Sequence, residues 1–551
     1  MVESRLPTVS VVIPVCNAMP YLEQTLASVA GQSIGMDALE VVAVDDGSTD
    51  GSGEVLDAWA KDRPWRMTVI HQEASGGPSR PRNVGLDHAT GRYVFFLDGD
   101  DCLGPEALER LVAMAEKNGA DTVLAKLVAV GRAIRPEVRE VFVKNVDRVD
   151  QAAVYYTLMP FKLFRRSMIE EHRIRFPEHM RISEDQHFVA RAYLHSTVIS
   201  ILADYDCYYL VGRGDKGNIT HGGLDYPTMV AQAAEVVALV KDLTEPGTLQ
   251  DRLVARHVKA ELLRRFDRRY LDADDAGRKE FAALAAPFAK EWVTPGVRAE
   301  LDVAERLRVH CLREGLLDEL AQVVEWDLAG RPGKNQVRDG RLYAATPFPS
   351  ASSAAYAELC DITDVTLGVS PRRRVDRITW NGSVVELSGY AYLDQVDTED
   401  LTTEILLRHS ATQQEIAVTV QPESSPYLTV SRGKETYDYG LADFRVSIDI
   451  ASVAGGRCLD PGTWEVSLRC TTHGLSARGG LGKALGRDVP RVDRHVVPLP
   501  AASGRLHTVS IGPEKGKLVL KIQPVPAPPS KLSRLKKMAR RVTSASNRRG
   551  E

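Results

Sequence analysis

Two apolar runs that end abruptly in carboxylates constrain the fold of this sequence more than any other feature. Residues 39–44 run directly into Asp45 and Asp46, and residues 93–97 run into the acidic segment 98–101. Short runs rich in β-branched and aromatic residues are typical of strands buried in a parallel sheet. The sequence therefore predicts buried strands whose carboxyl ends carry clustered negative charge.

The acidic segment 98–101 predicts a metal site. Carboxylates this close together repel one another unless a hard cation shares them. Mg²⁺ and Mn²⁺ prefer such oxygen ligands and complete their shells with water and substrate phosphates. An acidic turn or a helix N-cap would use the same residue types. The position at the end of a buried-type strand favours the metal.

Strand-like and helix-like patterns alternate through the first hundred residues. Residues 9–14 and 67–70 have the composition of further strands, and helical spacing follows residue 21, residue 54 and residue 81. This alternation predicts a doubly wound α/β domain. Open α/β sheets bind ligands outside the carboxyl ends of their strands, so we expect the polar loops there to line one pocket.

Four ordered motifs in residues 7–222 resemble glycosyltransferase family two, with its Rossmann-like type A glycosyltransferase fold. The motifs are Val-Val-Ile-Pro-Val-Cys-Asn, Val-Asp-Asp-Gly-Ser-Thr-Asp-Gly, Pro-Arg-Asn-Val-Gly-Leu and Phe-Leu-Asp-Gly-Asp-Asp. The resemblance implies a nucleotide-sugar donor, usually a UDP-sugar, a Mn²⁺ or Mg²⁺ cofactor, and transfer with inversion at the anomeric carbon. One position departs from it: many relatives carry Tyr where this sequence has Cys16.

The resemblance also implies roles for the motif residues. Asp46 would bind the uracil edge, and Pro14 and Asn17 would line the nucleoside. These roles leave local alternatives open, because residues 46–50 also suit an Asx-turn and a helix N-cap. Arg82 would face the pyrophosphate, although an ordinary surface arginine is the alternative. Ribose and metal contacts are implied for Asp98 and Asp100.

An inverting transfer needs a base on the face opposite the leaving diphosphate. Asp185 follows Glu184 at the predicted start of a helix, with Ser183 as a plausible N-cap. The resemblance assigns the base to Asp185 and an orienting role to Glu184. The alternative is that both acids only complement the positive end of the helix. Further along, Arg213 is a candidate phosphate ligand, and His221 is a weaker candidate for metal or phosphate.

The remainder of the chain divides by its periodicity. Apolar residues recur at helical spacing in residues 226–345, either as a spacer or as part of an acceptor groove. Residues 371–525 alternate with period two, and turn signals such as Asn381-Gly382 predict an immunoglobulin-like β-sandwich. The expected divisions are a catalytic domain at 1–225, a helical module at 226–345, a linker at 346–370, the β-rich tail at 371–525 and a basic segment at 526–551.

Composition and cysteine usage limit the partners and the cellular compartment that we expect for this protein. The 551 residues include 70 basic and 74 acidic ones, a balance that argues against a nucleic-acid partner. Seven scattered cysteines without a Cys-x-x-Cys pair, and no leader pattern, predict a reduced cytoplasmic protein. Residues 531–542 have a basic amphipathic pattern that suits peripheral contact with an anionic membrane, or a disordered tail.

The order of domains resembles the glycosyltransferases that decorate wall teichoic acids in Gram-positive bacteria. It implies transfer of N-acetylglucosamine or another hexose from a UDP-sugar to an anionic polyol-phosphate polymer, with homo-oligomers, commonly trimers, assembled by the tail. Two alternatives remain open: the same fold acting on an extracellular polysaccharide, lipid or protein, and a non-catalytic carbohydrate-binding or assembly scaffold.

Overall fold

The structure, a computed structural model, describes most of the chain and forms two compact units, Met1–Glu325 and Trp326–Glu551. The described residues are 6–62, 66–214, 226–348, 354–363, 371–425, 428, 430–432, 435–483, 485–486, 489, 493–497 and 507–525. The predicted basic segment at the C-terminus and His221 lie outside them.

A seven-stranded mixed sheet forms the centre of the first unit. The strands of this unit are β1 (Val9–Val15), β2 (Leu39–Asp46), β3 (Arg66–Gln72), β4 (Tyr93–Phe96), β5 (Cys102–Leu103), β6 (Thr122–Ala125), β7 (Leu127–Val130), β8 (Lys162–Arg165), β9 (Ile199–Leu202) and β10 (Tyr208–Val211). The strand order is β3-β2-β1-β4-β8-β6-β9. The first four strands are parallel, as the sequence predicts, whereas β8 runs antiparallel to both of its neighbours.

The register of the parallel strands brings their carboxyl ends to one edge. Val15 lies beside Asp45, and Val12 lies beside Phe96. The loops that follow β1, β2 and β4 therefore open on the same side of the sheet. A second, three-stranded sheet with the order β5-β10-β7 packs next to this edge and adds residues that follow β4.

Helices cover the sheet and continue beyond it. They are α1 (Leu22–Ala30), α2 (Ser52–Asp62), α3 (Ser79–His88), α4 (Ala107–Asn118), α5 (Pro136–Val141), α6 (Gln151–Val154), α7 (Arg166–Glu171), α8 (Glu184–His195), α9 (Tyr226–Leu243), α10 (Thr248–His257), α11 (Arg268–Asp272), α12 (Asp275–Trp292), α13 (Pro295–Ala299), α14 (Val303–Glu314) and α15 (Leu317–Leu328). Helix α3 packs so closely on β1 that a Cβ on Gly85 would lie 2.4 Å from Val12 Cγ1.

Capping side chains stabilise helix starts in the region after residue 226. Asp302 and Glu305 form a reciprocal capping box at the start of α14, so two backbone donors of the first turn are satisfied. Helix α10 passes into a π-helical turn at Val258–Leu262 and a 3₁₀ turn at Leu263–Arg265. None of the helices in the described residues combines the length and apolar character needed to cross a bilayer.

The second unit is rich in antiparallel strands, as predicted. Its elements are β11 (Gln336–Arg338), β12 (Arg341–Tyr343), α16 (Ala354–Cys360), β13 (Pro371–Asn381), β14 (Val384–Leu393), β15 (Thr402–His409), β16 (Glu415–Thr419), β17 (Gln421–Glu423), β18 (Val430–Arg432), β19 (Glu435–Tyr437), β20 (Asp443–Asp449), β21 (Gly462–Thr472), β22 (Leu475–Gly480), β23 (Asp493–Val497), β24 (His507–Glu514) and β25 (Lys517–Pro524). Two main sheets have the orders β13-β14-β20-β17 and β16-β15-β21-β25-β24-β23. Asn381-Gly382 turns the chain between β13 and β14, with Gly382 at φ +60°.

Two details of the predicted divisions differ from the observed elements. The hairpin β11–β12 lies within the range predicted as helical, and helix α16 lies within the range predicted as a linker. Both are short, and short segments carry little periodicity. Cys16, Cys102, Cys207, Cys311 and Cys470 form no disulfide.

Candidate active site

Three carboxylates meet at the carboxyl end of β4. Asp98, Asp100 and Asp101 each place an oxygen within 4.8 Å of the other two. Burial and the charge of Asp98 raise the pKa of Asp100 to about 6. Burial and the charges of Asp98 and Asp100 also raise the pKa of Asp101. Since the protein resists ionising all three together, the site fits a divalent cation with oxygen ligands.

Asp101 differs from the other two because both of its oxygens have protein donors. The Tyr208 hydroxyl donates to one at 2.8 Å, and the Val211 amide donates to the other at 2.7 Å. Strand β10 therefore anchors Asp101. Asp98 and Asp100, the residues predicted as metal ligands, are the members of the cluster that remain partly exposed.

The loops after β1 and β2 interlock beside this cluster. Asn17 has a left-handed backbone conformation at φ +49°. Its side-chain oxygen accepts a hydrogen bond from the Thr49 backbone amide at 2.9 Å, and its backbone amide donates to Ser48 Oγ at 3.1 Å. Asp50 accepts from the Ser52 amide at 3.0 Å at the start of α2. The segment 46–50 thus makes the local turn and holds the loop after β1, and Pro14 lies half-buried near the end of β1.

Asp46 is buried in a network of its own. Its carboxylate accepts from Ser75 Oγ at 2.8 Å, the Ser75 amide at 3.0 Å and Gln72 Nε2 at 2.5 Å. These donors fix the carboxylate at the edge where the predicted nucleoside pocket opens. Binding of the uracil edge by Asp46 stays a prediction.

Arg213 lies across the same edge. Its Nη2 donates to the Asn17 carbonyl at 2.9 Å, its Nη1 lies 3.9 Å from Asp100 Oδ2, and its Cζ lies 5.8 Å from the centre of the Tyr21 ring. A guanidinium next to a carboxylate cluster is well placed for a diphosphate that shares the cluster's cation.

Arg82 is not at the surface. Only 5% of its side chain is exposed; Nη2 donates to Asp98 Oδ1 at 2.9 Å and Nη1 donates to Glu184 Oε1 at 3.1 Å. The alternative of an ordinary surface arginine is therefore wrong. The predicted contact with a diphosphate stays a prediction, and the structure gives the guanidinium two carboxylate partners.

Helix α8 carries the predicted base. Asp185 lies in its first turn, and Asp185 Oδ1 accepts from the Gln186 amide at 2.7 Å. Burial and the charge of Glu184 raise the pKa of Asp185, against the opposing charges of Arg82 and Arg256. Ser183 occupies the predicted N-cap position at φ +61°, but its side chain makes no capping hydrogen bond. A carboxylate with a raised pKa at a site is a candidate general base.

A buried lysine that the sequence did not single out lies near this base. Lys162 on β8 is 3% exposed; its Nζ donates to the Met159 carbonyl and lies 5.7 Å from the centre of the Tyr193 ring. Burial lowers the pKa of Lys162 to about 7, and the negative charge of Asp185 opposes this decrease.

Helix α10 reaches the base helix through Arg256. Arg256 Nη1 donates to Gln186 Oε1 at 2.7 Å, and the same nitrogen lies 2.9 Å from Glu261 Oε1. His257, fully buried, lies 3.2 Å from the Tyr155 hydroxyl. The helical module therefore contacts the helix that carries the candidate base.

A cationic pocket opens beside Arg256. Its volume is about 400 Å³, and five basic and two acidic side chains line it. The basic residues are Arg135, Arg256, Lys259, Arg264 and Arg308. These residues were not predicted from the sequence, although residues 252–265 repeat basic side chains at helical spacing. Only the fold brings Arg135, which precedes α5, to the same cavity.

Comparison with known proteins agrees with this geometry. The model of glycosyl transferase family 2 matches residues 10–173, that of the glycosyl transferase TarS linker domain matches residues 227–324, and that of TarS β-glycosyltransferase C-terminal domain 1 matches residues 361–499.

The individual relatives match this chain over only part of their own length. A poly(ribitol-phosphate) β-glucosyltransferase of Bacillus spizizenii is 39% identical over 206 residues, which are 37% of this chain and 32% of the relative. The poly(ribitol-phosphate) β-N-acetylglucosaminyltransferase TarS of Staphylococcus aureus is 33% identical over 205 residues, which are 37% of this chain and 35% of the relative. The chain thus matches about a third of the length of these curated relatives.

Solved structures of S. aureus TarS extend the match. The crystal structure of TarS 1-349 in complex with UDP-GlcNAc is 26% identical, with a TM-score of 0.54, and covers 62% of this chain and 97% of that chain. Residues 10–173 of this protein form a glycosyltransferase family 2 domain, which a TarS linker domain and a TarS C-terminal domain 1 follow.

Proposed function

We propose that this protein transfers a sugar, N-acetylglucosamine or another hexose, from a UDP-sugar to a hydroxyl group of an anionic polyol-phosphate polymer of the teichoic acid type. The cationic pocket beside Arg256 is the observation that carries the proposal. Five basic side chains around 400 Å³ suit a phosphodiester group, and Arg256 connects the pocket to the residue that follows the base. Glu261 and Glu305 offset Arg256 and Lys259, at 2.9 Å and 3.4 Å, and the excess of basic over acidic side chains around the pocket favours an anionic acceptor.

The donor would occupy the edge where β1, β2 and β4 end. Asp46, Pro14 and Asn17 would surround the nucleoside, Cys16 replaces the aromatic residue of many relatives, and Arg213 would contact the diphosphate. Asp98 and Asp100 would hold Mn²⁺ or Mg²⁺. Such a cation, when bound, offsets the charge that develops on the leaving diphosphate.

The chemistry would be a single displacement. The acceptor oxygen forms a bond to the anomeric carbon while the bond from that carbon to the diphosphate oxygen breaks. Asp185 takes the proton of the acceptor hydroxyl, and UDP leaves with the electron pair of the broken bond. The raised pKa of Asp185 makes it a stronger base than an exposed aspartate, and Glu184 would orient it.

The proposal also includes assembly of the protein and its contact with a membrane. The β-rich second unit would join subunits into a homo-oligomer. The basic C-terminal segment, outside the described residues, would hold the protein at the inner face of the membrane, where teichoic acid precursors carry lipid anchors. Sedimentation would test the first expectation, and flotation on anionic vesicles with and without residues 526–551 would test the second.

The experiment that tests the reaction follows UDP release and sugar incorporation. UDP-N-acetylglucosamine, UDP-glucose, UDP-galactose and UDP-N-acetylgalactosamine are each offered with Mn²⁺, with Mg²⁺ and with chelator. The acceptors are poly(ribitol phosphate), poly(glycerol phosphate) and an uncharged polysaccharide. We expect cation-dependent transfer from one donor to a phosphate polymer. Transfer only to the uncharged polymer would favour the polysaccharide alternative, and folded protein inactive with every pair would refute the proposal.

A further inference from the structure

Arg82 joins two segments that are far apart in the sequence. Asp98 follows the strand β4 and belongs to the carboxylate cluster, and Glu184 begins the helix that carries the candidate base. One guanidinium bonds both carboxylates, at 2.9 Å and 3.1 Å. The three side chains are 5%, 28% and 11% exposed for Arg82, Asp98 and Glu184.

The packing around Arg82 restricts its movement. Its Cζ lies 5.2 Å from the centre of the Phe176 ring, and that ring stacks on Phe188 of α8 with centroids 4.0 Å apart. Phe188 also packs edge-on against Phe96 at the end of β4. The same aromatic cluster that joins β4 to α8 therefore supports the guanidinium.

We infer that Arg82 is a positioning residue that fixes the spacing between the metal-side carboxylates and the base helix, and not a ligand of the donor diphosphate. This inference rests on the proposed function for the role of Asp185. A planar guanidinium can bond two carboxylates on different sides, whereas an ammonium cannot reproduce that fork. Reacting groups misplaced by about 1 Å can lose roughly 100-fold in rate.

The test separates binding from turnover. UDP affinity is measured by calorimetry with and without Mn²⁺, and kcat and KM are measured for transfer. For Arg82→Lys we expect UDP affinity within about threefold of wild type and a kcat lower by about 100-fold, as misplacement of the base predicts. Arg80→Lys is the matched control, because Arg80 lies on the same helix and is exposed.

Glu184 supplies a second, independent variant. Glu184→Gln keeps an acceptor for Arg82 Nη1, whereas Glu184→Ala removes it. We expect the Gln variant to retain at least about tenfold more kcat than the Ala variant, with equal UDP affinity. The double variant of Arg82→Lys with Glu184→Gln should lose much less than the product of the two single losses, because both act on one bonded unit.

Two results would overturn the inference. The first is a loss of UDP affinity of tenfold or more in Arg82→Lys while Arg80→Lys and Glu184→Ala bind normally, which would make Arg82 a diphosphate ligand. The second is equal kcat for the two Glu184 variants, which stands even if Arg82→Lys fails to fold. A wild-type protein that transfers to no acceptor would refute the proposed function alone, because the UDP affinities need no acceptor.

Discussion

Replacement of Asp185 by Asn should remove catalysis and stabilise the fold at once. Asn has nearly the same volume, and its amide oxygen can still accept from the Gln186 amide, which lies 2.7 Å from Oδ1 in the native chain. Only the capacity to take a proton is lost. A positioned general base contributes about 10²- to 10⁴-fold, so we expect kcat to fall by that factor. UDP affinity should not change.

The stability change follows from the direction of the pKa shift. Burial and the charge of Glu184 raise the pKa of Asp185 in the folded chain above its value of about 3.9 in the unfolded chain. The contribution of the protonated carboxyl to the free energy of unfolding is present at low pH. It is lost as the pH rises through the pKa that Asp185 has in the folded chain. Above that pKa, each unit of the shift lowers the free energy of unfolding by about 1.4 kcal/mol, and replacement by Asn removes this loss.

The assay compares wild type and Asp185→Asn in thermal unfolding at pH 4 and pH 8, beside kcat and UDP calorimetry. Asp275→Asn is the control, because Asp275 is an exposed acid in the first turn of another helix. We expect a higher unfolding temperature for Asp185→Asn at pH 8 and a smaller difference at pH 4. Turnover within tenfold of wild type would refute the assignment of the base, and a lower unfolding temperature at pH 8 would refute the electrostatic reasoning.

Three further changes test other parts of the site. Asp100→Asn should abolish the Mn²⁺ dependence of UDP binding in calorimetry, because burial already raises the pKa of Asp100 to about 6 and a cation must offset its charge; unchanged Mn²⁺ dependence would exclude it as a ligand. Arg264→Gln should lower kcat/KM for the polymer by about fivefold or more at low salt and flatten its salt dependence, with no change in UDP affinity; an equal effect on donor binding would place it elsewhere. Gly85→Ala should destabilise by about 1–3 kcal/mol in denaturant unfolding, since its Cβ would lie 2.4 Å from Val12 Cγ1, whereas Gly77→Ala, with no atom within 4 Å, should not.

The donor half of the site was predictable because it depends on local sequence. Each strand ends where its apolar run stops, and the polar residues that follow must lie at the edge of a parallel sheet. Asp46 and Asp98 could therefore be placed from the positions of two runs alone. The position of Asp185 in the first turn of a helix was predictable as well. Its role as the base stays a prediction, which the family resemblance supplied.

The pairing partners were not predictable, because they join residues far apart in the chain. Arg82 and Glu184 are separated by 102 positions, and Arg256 and Gln186 by 70. Neither periodicity nor composition carries information about such pairs. The cationic pocket has the same origin, as its basic residues come from the segment before α5, from α10 and the turns after it, and from α14.

The sequence by itself determined the order of elements, the acidic strand ends and the change from helical to alternating periodicity, because hydrogen bonding and burial of a single segment follow from its own side chains. Only the tertiary structure decided that Arg82 is buried between two carboxylates, that β8 enters the sheet antiparallel, and that the helical module meets the base helix. Those features depend on which surfaces pack together, and packing is settled by the whole core and not by any one segment.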